Sequence, residues 1–441
     1  MKQIHKKSAD PAVNSLLVQA KRSGVELSWD RAETQQPQCG FGRLNLCCTD
    51  CGDGPCRISP FEADGGQTIC GRERSELENS RLLHRVSDGT AALLSLAAAN
   101  GAKTEPAALV TEDDLLAASD WRGKLQELGT CSARVLQSLT KAAAPDSSVL
   151  PGNLGALKAD VPNILVYGHV SPTLLTHLCE IAAQASPPVN LLGACGGEGT
   201  GALPLVTNYV SQEVPFLTGA VDALIVGPQC VMPAAVALAL ARGAVVVKEK
   251  ELDSPAALGQ LLEQAVAVFG RRLGKAVAIP AERAEYSCLP AKNPTGWAWE
   301  LVHQTKAAGK KGFAFVGGCG RVGVTQDREF VGEAVRLSQA GWQVVTAGCA
   351  GAALIKAGLC HQGEAVYLGS CLAAGYFLEL AGAAAGAGVD TCAVFREASH
   401  SKMLATAAAF TACGIDTRIE MDEGSEPAES AWTGRLKAGE N

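Results

Sequence analysis

Six cysteines between residues 39 and 70 constrain this 441-residue chain more than any other feature of its sequence. They follow the pattern C-x7-C-C-x2-C-x4-C-x13-C. Four thiolates can each bind one iron of a cubane cluster, and the pattern supplies such a set in Cys48, Cys51, Cys56 and Cys70. The spacing therefore predicts an iron–sulfur site, with a zinc site or a pair of disulfides as the alternatives.

Two cysteines of the same segment, Cys39 and Cys47, remain outside that set of four. Half of a ligand set on one chain is what a cluster shared across a two-fold axis requires, because symmetry supplies the other half. We therefore expect a homodimer whose subunits share one cluster through these two residues.

Composition and charge narrow the class of protein further. The net charge of -7, without a basic block, argues against nucleic acid as a partner. The polar segment 1–7 lacks the apolar stretch of a secretory signal, so the 17 cysteines are read as metal ligands and buried thiols of a cytoplasmic protein. The apolar run 221–247 contains Pro228 and Pro233, which favours a buried strand followed by a helix and no membrane span.

The hydrophobic pattern divides the chain into three expected domains. Residues 1–155 carry helical patterns around the cysteine segment, whereas 156–290 and 291–441 alternate short apolar runs with helical stretches. Such alternation predicts an α/β fold with a doubly wound, parallel, Rossmann-like sheet in each of the latter two domains, after an N-terminal helical, cysteine-rich, cluster-binding domain. Residues 286–305, rich in proline and aromatic residues, are expected to connect the two α/β domains.

Six metal-binding side chains follow the predicted strands at the point where each strand ends. Ligands bind at the carboxyl ends of strands in open parallel sheets, so these residues would converge if the two sheets faced each other. One imidazole and five thiols exceed the needs of a single zinc or one cubane, which predicts a larger or mixed-metal cluster. The six residues are His169, Cys195, Cys230, Cys319, Cys349 and Cys371. The other cysteines are expected to be structural: Cys131, Cys179, Cys288, Cys360, Cys392 and Cys413.

With these motifs in place, the sequence resembles the nickel-dependent, anaerobic-type carbon monoxide dehydrogenases. The cysteine segment 39–70 is similar to that family's paired-cluster motif, and Gly219–Pro233 to a long family stretch that contains a catalytic-cluster cysteine. The resemblance implies a Ni–Fe–S cluster on the six residues after the strands, and a [4Fe–4S] cluster within each subunit. It also implies one [4Fe–4S] cluster shared between the subunits of a homodimer, and electron transfer from CO oxidation to a ferredoxin-like carrier.

The segment Ser399–Lys402 resembles the family's catalytic-lysine segment, which implies that Lys402 stabilises negative charge on substrate CO2. The chain departs from the family in being compact between Cys70 and His169, and in having no histidine in residues 86–92, where the family has a histidine ladder. His400 is the best-placed substitute for moving protons, because the unperturbed pKa of histidine lies near neutrality.

Two other functions remain open from the residues. A reductase of the hybrid-cluster type, acting on hydroxylamine or a similar molecule, has a related fold, and Glu198 would then be a candidate carboxylate ligand. A non-catalytic iron–sulfur electron-transfer protein would need only the clusters of residues 39–70.

Overall fold

The computed structural model describes residues 6–43, 46–59, 61, 66–101, 121–140, 149–199, 203–289, 296–361 and 363–420. The N-terminal part is mainly helical and contains the small hairpin of cysteine-bearing strands. Its elements are α1 (Pro11–Arg22), α2 (Ser28–Thr34), α3 (Gly40–Arg43), β1 (Cys47–Cys48), β2 (Cys56–Arg57), α4 (Arg74–Ala99), α5 (Trp121–Thr140) and β3 (Leu150–Gly152). The hydrophobic pattern of residues 105–145 predicts helical structure there. The structure has α5 over 121–140, and the rest of that stretch lies outside the described residues.

The first α/β unit forms a five-stranded sheet in which every neighbouring pair is parallel. Its strands lie in the order β6-β5-β4-β7-β8. The residues of β4 and β5 are all buried, as expected of central strands covered by helices on both faces. The elements are β4 (Asn163–Tyr167), α6 (Pro172–Gln184), β5 (Asn190–Ala194), β6 (Leu205–Thr207), β7 (Ala223–Val226), α7 (Pro233–Ala241), β8 (Val245–Lys248), α8 (Pro255–Arg272) and β9 (Ala284–Tyr286), where β9 pairs with β3 outside the sheet.

The second α/β unit repeats this topology, with parallel strands in the order β12-β11-β10-β13-β14. Its elements are α9 (Trp297–Ala307), β10 (Gly312–Gly317), α10 (Arg328–Gln339), β11 (Trp342–Thr346), α11 (Gly348–Lys356), β12 (Ala365–Tyr367), α12 (Ala374–Gly386), β13 (Asp390–Arg396), α13 (Ser401–Ala412) and β14 (Asp416–Glu420). The predicted fold class, helices followed by two doubly wound parallel sheets, is confirmed. The division of the chain at residues 155 and 290 stays a prediction that limited proteolysis would test.

The expected connection over 286–305 is shorter than predicted. Residue 286 ends β9, and α9 begins at Trp297, whose buried ring lies 5.9 Å from that of Tyr376 on α12. The aromatic residues that suggested a linker are therefore explained by helix packing on the second unit.

Helices α4 and α5 lie directly against α13. A Cβ atom added to Gly89 on α4 would overlap the backbone oxygen of Ser401, and one added to Gly129 on α5 would approach that of Ala408 within 2.5 Å. Glycine permits this close approach because it has no side chain. The helical layer thus holds α13 in place along its length, including the first turn, which carries Lys402. In the described part of the chain, no helix combines the length and apolarity needed to cross a membrane.

Candidate functional site

The shared strand order places a crevice at the carboxyl edge of each sheet. In the first sheet, the chain leaves the neighbouring strands β4 and β7 in opposite directions, and in the second sheet it does the same at β10 and β13. Ligands bind beside such topological switch points in open parallel sheets. His169 and Cys230 follow the first pair of strands, and Cys319 and Lys402 follow the second pair. Cys195, Cys349 and Cys371 follow β5, β11 and β12 respectively.

All six predicted metal-binding side chains line one cavity between the two sheets. About 360 Å³ of space within it is free of protein atoms, and Lys402 and His400 also line it. Two of its closest contacts join the two units: Cys195 Sγ lies 3.6 Å from Cys349 Sγ, and His169 Nε2 lies 3.3 Å from Cys371 Sγ. The six side chains therefore converge as expected from their positions after the strands. Their role as metal ligands stays a proposal.

The backbone at two of these cysteines is strained. Cys195 has φ of 51° and Cys230 has φ of 61°, in the left-handed region that non-glycine residues seldom adopt. Such conformations cost free energy and persist where the surrounding structure enforces them, often at functional sites. Adjacent glycines make the loops tight: a Cβ at Gly196 would overlap the imidazole of His169, and one at Gly348 would approach Cys371 Cβ within 2.8 Å.

Burial and hydrogen bonds set the protonation of the thiols in this cavity. Burial raises the pKa of Cys319 and of Cys371 well above that of an exposed thiol. Cys230 differs, because a hydrogen bond from Cys195 and the charge of Lys402 hold its pKa well below the ordinary value despite burial. One thiolate is thus stabilised by the protein itself, and the others would lose their protons on binding a metal.

Lys402 is the cation of the cavity. Its side chain is only 6% exposed, and its Nζ has no hydrogen-bond partner among the described residues. Burial disfavours the charged ammonium, but the negative charge that Cys371 and Cys230 carry when they are ionised outweighs burial and raises the pKa of Lys402. In the metal-free protein, Cys230 is the one of these two that the protein itself keeps ionised. The first turn of a helix repels a cation, so nothing in α13 itself stabilises this charge.

His400 is the N-cap residue of α13 and lines the cavity. Its half-buried ring packs edge-on against Tyr209, with ring centroids 4.4 Å apart. Burial lowers the pKa of His400, so the neutral imidazole predominates at neutral pH and can accept a proton. The backbone N of Tyr209 lies 3.5 Å from Cys349 Sγ. No motif in the sequence points to Tyr209, because its contacts with His400 and Cys349 depend on how the two sheets dock.

The structure brings four of the six N-terminal cysteines together, and their role as cluster ligands stays a prediction. A second cavity is lined by four of these thiols: Cys48, Cys51, Cys56 and Cys70. Pairing of β1 with β2 places Cys48 opposite Cys56. Arg72 Nη1 lies 4.0 Å from Cys48 Sγ and donates to Asp50 at 2.7 Å and to Ser80 at 3.0 Å. The sequence did not indicate this buried cation, which would offset the negative charge of a thiolate-bound cluster.

Cys39 and Cys47 lie outside that cavity. Cys39 is exposed and Cys47 is half-buried. Backbone amides of Gly42 and Phe41 donate to the Cys39 sulfur and lower its pKa, which favours the thiolate that a metal binds. The two residues are therefore accessible from outside the subunit, as a shared site requires.

The donor set of the inter-sheet cavity fits a sulfur-rich metal cluster. Five thiols and one imidazole are soft and borderline ligands, which suit iron–sulfur assemblies and nickel. His169 Nδ1 is buried and has no hydrogen-bond partner among the described residues. Throughout those residues, no three metal-binding side chains approach closely enough to hold a single ion together. The donors instead surround an open space, which is the arrangement that a cluster several atoms wide would fill.

The chain belongs to the Prismane/CO dehydrogenase family, whose model matches residues 137–422. It is 28% identical to a carbon monoxide dehydrogenase of Rhodospirillum rubrum, over 80% of this chain and 75% of that protein. It is also 28% identical to carbon monoxide dehydrogenase 1 of Carboxydothermus hydrogenoformans, over 81% of this chain and 77% of that protein. The structure of carbon monoxide dehydrogenase IV from Carboxydothermus hydrogenoformans shares the fold with a TM-score of 0.78, at 23% identity and coverage of 93% and 91%.

Proposed function

We propose that this protein is an anaerobic carbon monoxide dehydrogenase that interconverts CO and CO2. One observation carries the proposal: six soft donors from two sheets and a buried lysine line a single cavity. The relatives named carbon monoxide dehydrogenase, which match four fifths of the chain, support the same reaction.

The six side chains His169, Cys195, Cys230, Cys319, Cys349 and Cys371 would hold a Ni–Fe–S cluster. When bound, the cluster would supply the Lewis acidity and the two-electron redox chemistry that the reaction needs. The protein would supply the remaining functions of the site. The buried ammonium of Lys402 would stabilise negative charge that develops on a substrate oxygen, and the enclosed cavity would strengthen that interaction by excluding bulk water.

Proton movement is assigned to His400. Oxidation of one CO with one water releases two protons and two electrons, so a buried site needs a group that accepts protons and passes them outward. His400 lines the cavity, is half-buried and favours its neutral form. It therefore has the position and the protonation state of a proton acceptor beside Lys402.

Electrons would leave through the N-terminal cysteines. Cys48, Cys51, Cys56 and Cys70 would hold the [4Fe–4S] cluster of each subunit, and Cys39 and Cys47 would contribute half of a [4Fe–4S] cluster shared in a homodimer. A ferredoxin-like protein is the proposed acceptor. All 17 cysteines are free thiols, which suits a reducing compartment, and we propose the cytoplasm.

The direct test is anaerobic purification after growth with nickel, followed by metal analysis and CO oxidation with a viologen dye. We expect nickel in the protein and CO-dependent dye reduction that requires it. A protein that contains iron without nickel and reduces hydroxylamine but does not oxidise CO would contradict the proposal in favour of a hybrid-cluster reductase.

Replacing both Cys39 and Cys47 with serine should weaken the homodimer and remove its shared cluster. We expect about ten irons per chain in the wild type and about eight in the double variant, because each subunit contributes half of the shared cluster. Metal analysis and analytical ultracentrifugation measure the two effects. A Cys413→Ser variant is the control, since Cys413 is exposed at the end of α13. A monomeric wild type with its full iron content would contradict the prediction.

His400→Ala should slow CO oxidation, and the slowing should shrink as buffer concentration rises. Small buffer molecules can carry protons in place of an imidazole, whose contribution to proton transfer is typically about 100-fold or more. Turnover is measured across a series of buffer concentrations at constant pH and ionic strength. His303→Ala on α9 is the control, because His303 does not line the cavity. A rate unaffected by His400→Ala at every buffer concentration would show that protons leave by another route.

A further inference from the structure

Glu198 is a buried carboxyl group that touches the cavity only through other residues. Its side chain has no exposure to solvent, and it does not line the inter-sheet cavity. Oε2 accepts a hydrogen bond from the backbone N of Gly196 at 2.8 Å, and Oε1 accepts one from the hydroxyl of Tyr367 at 3.3 Å. Both oxygens are therefore engaged away from the predicted donors, which argues against a carboxylate ligand at this position.

The first of these hydrogen bonds fixes the turn that follows Cys195. Gly196 lies directly against the imidazole of His169, where a Cβ atom would overlap the ring. The turn is also packed on its own strand, because a Cβ at Gly193 would overlap the backbone of Glu198. Holding Gly196 therefore constrains the positions of Cys195 and of the His169 ring together.

The second hydrogen bond crosses to the other sheet. Tyr367 is the last residue of β12, and Cys371 lies four residues further on. In the same place the backbone N of Ser370 donates to Gly199 O at 2.8 Å. These contacts bring the turn of the first unit and the end of β12 together, at the point where His169 Nε2 lies 3.3 Å from Cys371 Sγ.

Such an arrangement is costly for the folded protein. Moving a carboxyl group out of water is unfavourable unless its hydrogen bonds compensate, and burial raises the pKa of Glu198 to about 7. A hydrophobic residue at position 198 would avoid this cost, but it could not accept the hydrogen bonds from Gly196 and Tyr367. The two partners account for a carboxyl group at this buried position, because Gly196 belongs to the first α/β unit and Tyr367 to the second.

We propose that Glu198 is a positioning residue, which ties the turn after β5 to the end of β12 so that His169, Cys195 and Cys371 face one centre. The inference rests on the proposed function only in assigning these three residues to a metal site. Outer hydrogen bonds that orient metal ligands typically contribute about 10- to 100-fold to metal affinity. Loss of either bond from Glu198 should therefore weaken metal retention without removing any ligand.

The test compares three variants with closely matched changes. Glu198→Gln keeps the size of the side chain, but its amide N–H₂ cannot accept a hydrogen bond from either partner: facing Gly196 N it meets a second donor, and facing Tyr367 it forces the hydroxyl to turn and accept, so one of the two bonds that the carboxylate accepts is lost. Tyr367→Phe removes only the hydroxyl that donates to Glu198. Tyr286→Phe is the control, because Tyr286 packs on Tyr367 with centroids 5.5 Å apart, yet its hydroxyl accepts from Leu205 N at 2.9 Å instead.

Each protein is purified anaerobically with nickel and iron, and then dialysed against a weak chelator. Nickel per chain and the electron paramagnetic resonance spectrum of the reduced protein are measured, with the N-terminal cluster as internal reference. We expect nickel retention to fall about 10-fold in Glu198→Gln and Tyr367→Phe, with a changed spectrum of the inter-sheet cluster, and to be unchanged in Tyr286→Phe. Because the N-terminal cysteines are unaltered, the signal of their cluster should be the same in all variants.

Suppose that the wild type retains nickel and that the Glu198→Gln and Tyr367→Phe variants retain the same amount. That outcome would overturn this inference and leave the proposed function standing. A wild type that binds no nickel would overturn the proposed function and the inference with it. If Glu198→Gln does not fold, the Tyr367→Phe variant decides, since it leaves the carboxyl group in place.

Discussion

Replacing Lys402 with methionine is expected to lower CO oxidation by about 100- to 1000-fold, the range found when a preorganised charge-stabilising group is removed from an active site. Methionine is a similarly long side chain and can fill the same space. The metal content should stay at the wild-type level, because Lys402 has no donor atom to contribute while protonated. The effect should therefore appear in turnover and not in loading.

The structure gives this prediction its physical basis. Lys402 Nζ is buried, faces a cavity lined by thiols and has no hydrogen-bond partner in the described residues, so its charge is available to a substrate. Turnover and nickel content are measured on the same preparations. Lys306→Met is the control, because Lys306 lies on α9 and donates to Ala387 O at 3.0 Å outside the cavity. An unchanged rate in fully loaded Lys402→Met protein would show that the ammonium does not act on the substrate.

Cys371→Ser is expected to abolish nickel binding and CO oxidation together. A serine hydroxyl does not ionise under conditions where a thiol does, and it is a poor ligand for the soft metals of a sulfur-bound cluster. Cys371 Sγ also lies 3.3 Å from His169 Nε2, so its replacement removes one contact between the two sheets. We expect at least a 100-fold loss of activity, because changing only a hydrogen-bond partner of a metal ligand already costs about 10- to 100-fold.

Cys360→Ser is the matched control for this substitution. Cys360 is also buried in the second α/β unit, where burial raises its pKa to about 12, but it lines neither described cavity. It should lose some stability and keep its nickel. Metal analysis and thermal unfolding separate the two effects. Equal nickel in Cys371→Ser and wild type would show that Cys371 is not part of the site.

The sequence predicted the positions of the strands and of the side chains that follow them. Short apolar runs that end in glycine mark buried parallel strands, and strand ends in such sheets share one edge, so His169 and Cys349 could be assigned to one region. Contacts that cross between the sheets could not be predicted in this way. The bond from Tyr367 to Glu198 and the ring contact of Tyr209 with His400 depend on how two independently patterned sheets dock.

Local conformation was also beyond the sequence pattern. The left-handed backbones of Cys195 and Cys230 are imposed by surrounding packing, whereas the residue type alone favours other regions. Likewise, the proline and aromatic content around residues 297–305 predicts a connection, because the sequence pattern does not show which element these aromatic residues pack against. Their helix is stabilised by α12, a segment about 80 residues later in the chain.

The division of the cavity between two sheets has a consequence for the order of biosynthesis. His169, Cys195 and Cys230 precede Cys319, Cys349 and Cys371 by a long stretch of chain, and neither group of three surrounds the cavity by itself. A ribosome must therefore release the chain beyond Cys371 before the complete ring of donors exists. On the proposed function, any cellular machinery that delivers nickel would have to act after both sheets have formed and docked.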